Sequence, residues 1–70
     1  MRKPIYEVEE GVEYISGSGY RCKVLMIVQH GQDCSVSMVV YENLVPTFDS
    51  PAGKRWTVSE SFFLSRFSSI

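Results

Sequence analysis

Tyr20-Arg21-Cys22-Lys23-Val24-Leu25-Met26-Ile27-Val28-Gln29, then His30-Gly31-Gln32-Asp33, then Ser35-Val36-Ser37-Met38-Val39-Val40-Tyr41-Glu42 are the residues that decide the fold. The first run is rich in β-branched and aromatic side chains and holds neither Pro nor Gly, the composition of a strand. In the second, Val36, Met38 and Val40 alternate against Ser35, Ser37, Val39 and Tyr41, the period of a strand with two different faces. Between them Gly31 offers positive φ for a hairpin connection. With Gly31-Gln32 as the tip, Leu25 faces Met38 and Ile27 faces Val36. On the other face Val24 meets Val39 and Met26 meets Ser37. A slip of one residue would scramble these apolar pairs. The same register sets Cys22 opposite Tyr41 and Cys34 opposite Gln29, beyond the roughly 7 Å Cα separation that a disulfide tolerates. Both thiols are expected to be free.

Outward from this hairpin, Val12-Glu13-Tyr14-Ile15 is a short strand candidate, and Ser16-Gly17-Ser18-Gly19 is a turn. Residues 1–10 form a polar, acidic N-terminal segment, a tether or short edge, and residues 11–70 form a single small domain. The stretch 43–55 contains Pro46, Pro51, Asp49-Ser50 and Gly53 and reads as a long loop, a place where function often resides. Lys54 to Val58 is a further strand carrying Trp56. Ser59 is placed to cap a helical turn with Glu60 at its start. Phe62, Phe63, Leu64 and Phe67 follow as a short helix or a last strand. The expected fold is mainly β: a small, bent, SH3-like barrel of four to five antiparallel strands with one short helical turn near the C-terminus.

Composition narrows the function classes. Apolar residues make up 44% of the 70 residues, and seven basic residues nearly balance eight acidic ones, for a net charge of −1. That balance argues against strong sequence-independent nucleic-acid binding, which needs an excess of Lys and Arg. The longest apolar run, Val24 to Val28, is far short of the roughly 20 residues that cross a bilayer. Met1-Arg2-Lys3-Pro4-Ile5-Tyr6-Glu7 lacks the apolar core of a signal peptide. A cytoplasmic location is expected.

Candidate chemistry is sparse. His30 is the one histidine, and Asp33 and Cys34 are close to it; a Cys–His pair at an open turn has little desolvation or preorganisation to activate it. Three such residues with a single histidine match no standard zinc spacing. Gly17-Ser18-Gly19 lacks the lysine and helix of a phosphate loop. No enzyme activity, metal or cofactor is expected. A binding role is better supported, because Tyr20, Tyr41 and Trp56 could form an aromatic groove for an extended peptide. Tyr41, Phe48, Arg55 and Trp56 combine aromatic and arginine anchors of the kind that dominate interfaces. The alternative is a nucleic-acid patch of Arg21, Lys23, Lys54 and Arg55 around Trp56. A homodimer through Phe62, Phe63 and Phe67 is a further possibility.

Gly11-Val12-Glu13-Tyr14, Gly19-Tyr20-Arg21-Cys22-Lys23-Val24, His30, Val39-Val40-Tyr41, and Trp56 with Phe63 seven positions on form an ordered series. The series resembles the pattern G-x-Y, K-G-x-x-Y-x-V, H, V-V-Y, W-V-R-P, F of a family of short bacterial and phage proteins classed as a domain of unknown function. Thr57-Val58-Ser59 stands here where the pattern has V-R-P, so its arginine is missing. The resemblance implies a compact β domain of bacterial or phage origin and no particular chemistry. Taken together, the expectation is a non-enzymatic accessory module that binds a protein partner in preference to nucleic acid.

Overall fold

A computed structural model describes residues 3, 4 and 6–70, with side chains from residue 6 onward. The elements are β1 (Lys3–Pro4), β2 (Glu13–Ser16), β3 (Arg21–Gln29), β4 (Ser37–Asn43), β5 (Arg55–Ser59), α1 (Glu60–Arg66) and β6 (Phe67–Ser69). The strands form one antiparallel sheet in the order β1-β6-β2-β3-β4-β5. β1 and β5 are the outer strands of that order, so the sheet is open and not a closed barrel. The helix covers the concave face between β5 and β6. Among the described residues no helix is long and apolar enough to cross a membrane.

The central hairpin forms from β3 and β4, but in a different register from that expected. Val28 pairs with Met38, Ile27 with Val39 and Met26 with Val40; then, across an irregularity at Leu25, Val24 pairs with Tyr41 and Cys22 with Asn43. The two-residue tip at Gly31-Gln32 is replaced by a wider loop, which side-chain hydrogen bonds hold together. His30 Nδ1 accepts from the main-chain N–H groups of Gln32 and Asp33, both at 3.1 Å. The Asp33 carboxylate accepts from Ser35 N at 3.1 Å and Ser35 Oγ at 2.6 Å, which holds its carboxyl below the usual carboxylate range. His30 N donates to Val36 O at 2.9 Å and closes the ladder. Local Asx-type bonding of this kind competes with the tight turn.

The bulge at Leu25 has a large consequence. An extra residue switches the side-chain alternation of a strand. Cys22 and Val24 face the core before it and Ile27 after it, while Met26 and Val28 turn outward at 47% and 39% exposure. Glu10 supports the irregularity, its carboxylate accepting from Ile27 N at 2.9 Å. The segment preceding β2 is therefore integrated into the domain: Val8 is buried in the core, and Glu9 N donates to the Tyr14 hydroxyl at 3.0 Å.

The core consists of Val8, Tyr14, Cys22, Val24, Val39 and Phe63. Cys22 is buried and Cys34 exposed, and both are free thiols. Phe63 comes from α1, whose start is set by Ser59: its Oγ accepts from Phe62 N at 3.2 Å, with Glu60 in the first turn and Arg66 in the last. The chain therefore ends as both a helix and a strand. Removing a serine cap costs about 1 kcal/mol, so Ser59→Ala is expected to lower the unfolding free energy by about that amount in urea titration, and Ser59→Asp to retain it.

Candidate functional site

Strand alternation places Tyr41 and Asn43 of β4, Trp56 of β5, Cys22 of β3 and Phe67 of β6 on the same concave face. Beyond the end of α1 they leave a cleft of about 180 Å³, lined by Tyr20, Tyr41, Trp56, Phe67, Cys22 and Asn43 together with Ser16 and Thr47. The three aromatic residues grouped from the sequence thus meet in one place. Tyr41 and Phe67 rings lie edge-on at 5.2 Å. A second hollow of about 250 Å³ shares Ser16, Tyr41 and Phe67 with the first and extends to Phe62 and Arg66. Tyr41 and Phe67 thus border both hollows.

Two cations lie against rings that line these hollows. Lys54 Nζ sits 4.9 Å from the Trp56 ring, and the Arg66 guanidinium 5.1 Å from that of Phe62. Such pairs are attractive because the ring face carries negative quadrupole density. Among the described residues no carboxylate lines either hollow.

Asn43 is the residue that sequence reading misses. Its main chain is pinned on both sides, N donating to Lys54 O at 2.9 Å and O accepting from Gly53 N at 2.7 Å. Gly53 takes φ +86° to make that return, a conformation that favours glycine. The Asn43 side chain is 7% exposed, and its Nδ2 has no hydrogen-bond partner among the described residues. A buried amide left unpaired costs about 1–3 kcal/mol, and such groups in folded proteins call for an explanation. The signal was its parity: Asn43 stands two residues beyond Tyr41 and shares its face.

The remaining candidates are dispersed. Phe48 is 95% exposed at the tip of the loop following β4, next to Thr47 at the cleft rim, but does not line the cleft. Arg55 lies on the convex face, opposite Glu42, which in turn pairs with Lys23, itself opposite Glu13. Lysine, arginine and glutamate thus alternate across that face. Arg21, Lys23 and Arg55 are separated by the sheet from Trp56, and of the four cations grouped for nucleic acid only Lys54 meets that ring. Phe63 is fully buried and stacked on Phe67 at 4.1 Å, so it cannot serve a dimer surface; Phe62 is 44% exposed. His30 Nδ1 is engaged by its own loop and does not address Cys34.

The Cys22 thiol faces this concave surface, and burial pushes its pKa up to about 11. Burial also raises the Tyr41 hydroxyl. Both are held protonated at neutral pH, so neither is an activated nucleophile. Comparison with family models, curated proteins and solved structures found no match.

Proposed function

We propose that this chain is a non-enzymatic binding module that captures a segment of a protein partner in the cleft between Tyr20, Tyr41 and Trp56. The observation that carries the reading is the convergence of those rings, from separate strands, on a cleft whose wall holds a buried amide without a partner. The bent sheet is used here in the manner of SH3-like domains, which offer aromatic grooves to extended peptides. β5, which supplies Trp56 to the cleft lining, is an outer strand of the sheet. The family resemblance supports a bacterial or phage accessory protein acting in the cytoplasm.

The test is a tagged pull-down from bacterial lysate, with and without nuclease, comparing the native chain with Trp56→Ala. Trp56 is 37% exposed, enough to contact a partner and to be removed without emptying the core. A stoichiometric protein that survives nuclease and binds Trp56→Ala at least tenfold more weakly, with unchanged circular dichroism, is the expected result. Equal capture by both chains would exclude the cleft, and capture that vanishes with nuclease would turn the assignment to nucleic acid.

A further inference from the structure

We infer that this chain self-associates as a weak, two-fold symmetric dimer through the convex face of the sheet, where Met26 and Val28 of one copy lie on Val40 and Met38 of the other. This goes beyond the cleft reading and does not depend on it, because the cleft is on the opposite face. Strand pairing sets Met26 beside Val40 and Val28 beside Met38 on the central hairpin. Met26 is 47% exposed and Val28 39%, while Met38 and Val40 are half-buried. A single exposed apolar side chain is ordinary on a protein surface. Four of them, set side by side as two cross-strand pairs, form a contiguous patch, and such patches mark places where another surface docks.

The row of charges beside that patch identifies the occupant. Glu13 of β2 pairs with Lys23 of β3, Lys23 with Glu42 of β4, and Glu42 with Arg55 of β5, so the signs alternate across four strands. Glu13, Lys23 and Arg55 are exposed and Glu42 is half-buried. A row in this order is complementary to its own reverse. A two-fold axis parallel to the strands, between β3 and β4, sets Glu13 against Arg55 of the second copy and Lys23 against its Glu42. The same axis sets Met26 over Val40 of the second copy and Val28 over its Met38. Both parts of the face thus match themselves under one rotation, as an isologous interface requires. A nucleic acid or an anionic membrane surface carries one sign of charge and matches no such row. By strand spacing and rise the face spans roughly 20 Å in each direction, and its outward curve confines contact to the middle, where the apolar pairs are. Such a contact falls short of the about 1,000 Å² that a stable interface buries, so the dimer is weak and reversible.

The experiment is sedimentation velocity of the full chain from about 5 µM to about 500 µM, the range in which a contact of that size associates. The weight-average coefficient is expected to rise with concentration toward that of a dimer and to stop there, because an isologous contact closes on itself. Met26→Lys is expected to stay monomeric throughout with unchanged circular dichroism, since Met26 is 47% exposed; Val28→Lys takes its place if that variant fails to fold. Charge reversal tests the axis. Lys23→Glu and Glu42→Lys each set like charges against one another twice in a homodimer, and each is expected to weaken self-association about tenfold. Mixed in equal amounts, the two variants are expected to associate about as tightly as the native chain, because every Lys–Glu contact across the axis is then restored. A native chain that is monomeric at every concentration overturns this inference and leaves the peptide-capture reading standing. Association that persists in Met26→Lys and Val28→Lys also overturns it and moves the contact to another surface, such as the exposed Phe62. A mixture that associates no better than its two components overturns the two-fold arrangement.

Discussion

Phe63→Ala is expected to leave the chain largely unfolded at room temperature. Phe63 is fully buried, edge-on to Tyr14 and Tyr41 at 5.5 Å each and stacked on Phe67 at 4.1 Å. It is the one fully buried residue of α1 and its main anchor to the concave face of the sheet, with Leu64 packed partly buried against the same core. Truncating a buried phenylalanine costs about 3–5 kcal/mol. A core of this size leaves only about 3–5 kcal/mol of net stability, so the substitution removes most or all of it. Loss of near-ultraviolet dichroism and of a cooperative urea transition would mark the effect. Phe62→Ala, one position earlier and 44% exposed, is the control; away from the core it is expected to cost at most about 1 kcal/mol. If the two variants were equally stable, the assignment of Phe63 to the core would be wrong.

Stability is expected to fall steeply in alkali. Burial pushes the Cys22 thiol from 9.0 up to about 11; a hydrogen bond from the Tyr14 main chain opposes the shift and the charge of Glu13 adds to it. An unfolded thiol would titrate near 9.0 and the folded one near 11. Between those values the unfolded chain has released a proton that the folded chain still holds, so deprotonation favours unfolding. The stability is complete below pH 9.0 and is lost as pH rises toward about 11. At about 1.4 kcal/mol per pH unit, the loss is on the order of 2 kcal/mol. Tyr41, also raised by burial, adds to it in the same direction at higher pH. Urea midpoints taken across this range should decline in the native chain and decline less in Cys22→Ala, which has no thiol to ionise. Identical slopes for the two would show that the thiol ionises as readily folded as unfolded.

These two residues also show how far residue chemistry at short range reaches. The aromatic and β-branched run before Gln29, the Ser59 cap and the turn ending at Gly19 are all decided by neighbours a few positions away. Gly19 takes φ +90° and its N–H donates to Ser16 O at 2.9 Å. That both thiols stay free also follows without the tertiary structure, since any plausible pairing of the hairpin keeps Cys22 and Cys34 apart. The aromatic grouping of Tyr20, Tyr41 and Trp56 rested on residue type, and it is the pairing of β4 with β5 that sets Tyr41 opposite Trp56.

Facing is another matter. Past Leu25 the register depends on a bulge, and the bulge is held by Glu10, 17 positions earlier, bonding to Ile27 N. No local periodicity contains that contact. The division of the cations between two faces follows from the same pairing: Arg21, Lys23 and Arg55 appear beside Trp56 in a list of residues, yet the sheet stands between them and its ring. Asn43 looks like the first residue of a loop until β5 pairs with β4 and carries it into the cleft wall. Propensity and turn chemistry act over a few residues and settle which segments are strands. Which side chains share a face, and which donor is left without a partner, depend on contacts between distant segments that exist only once the sheet has formed.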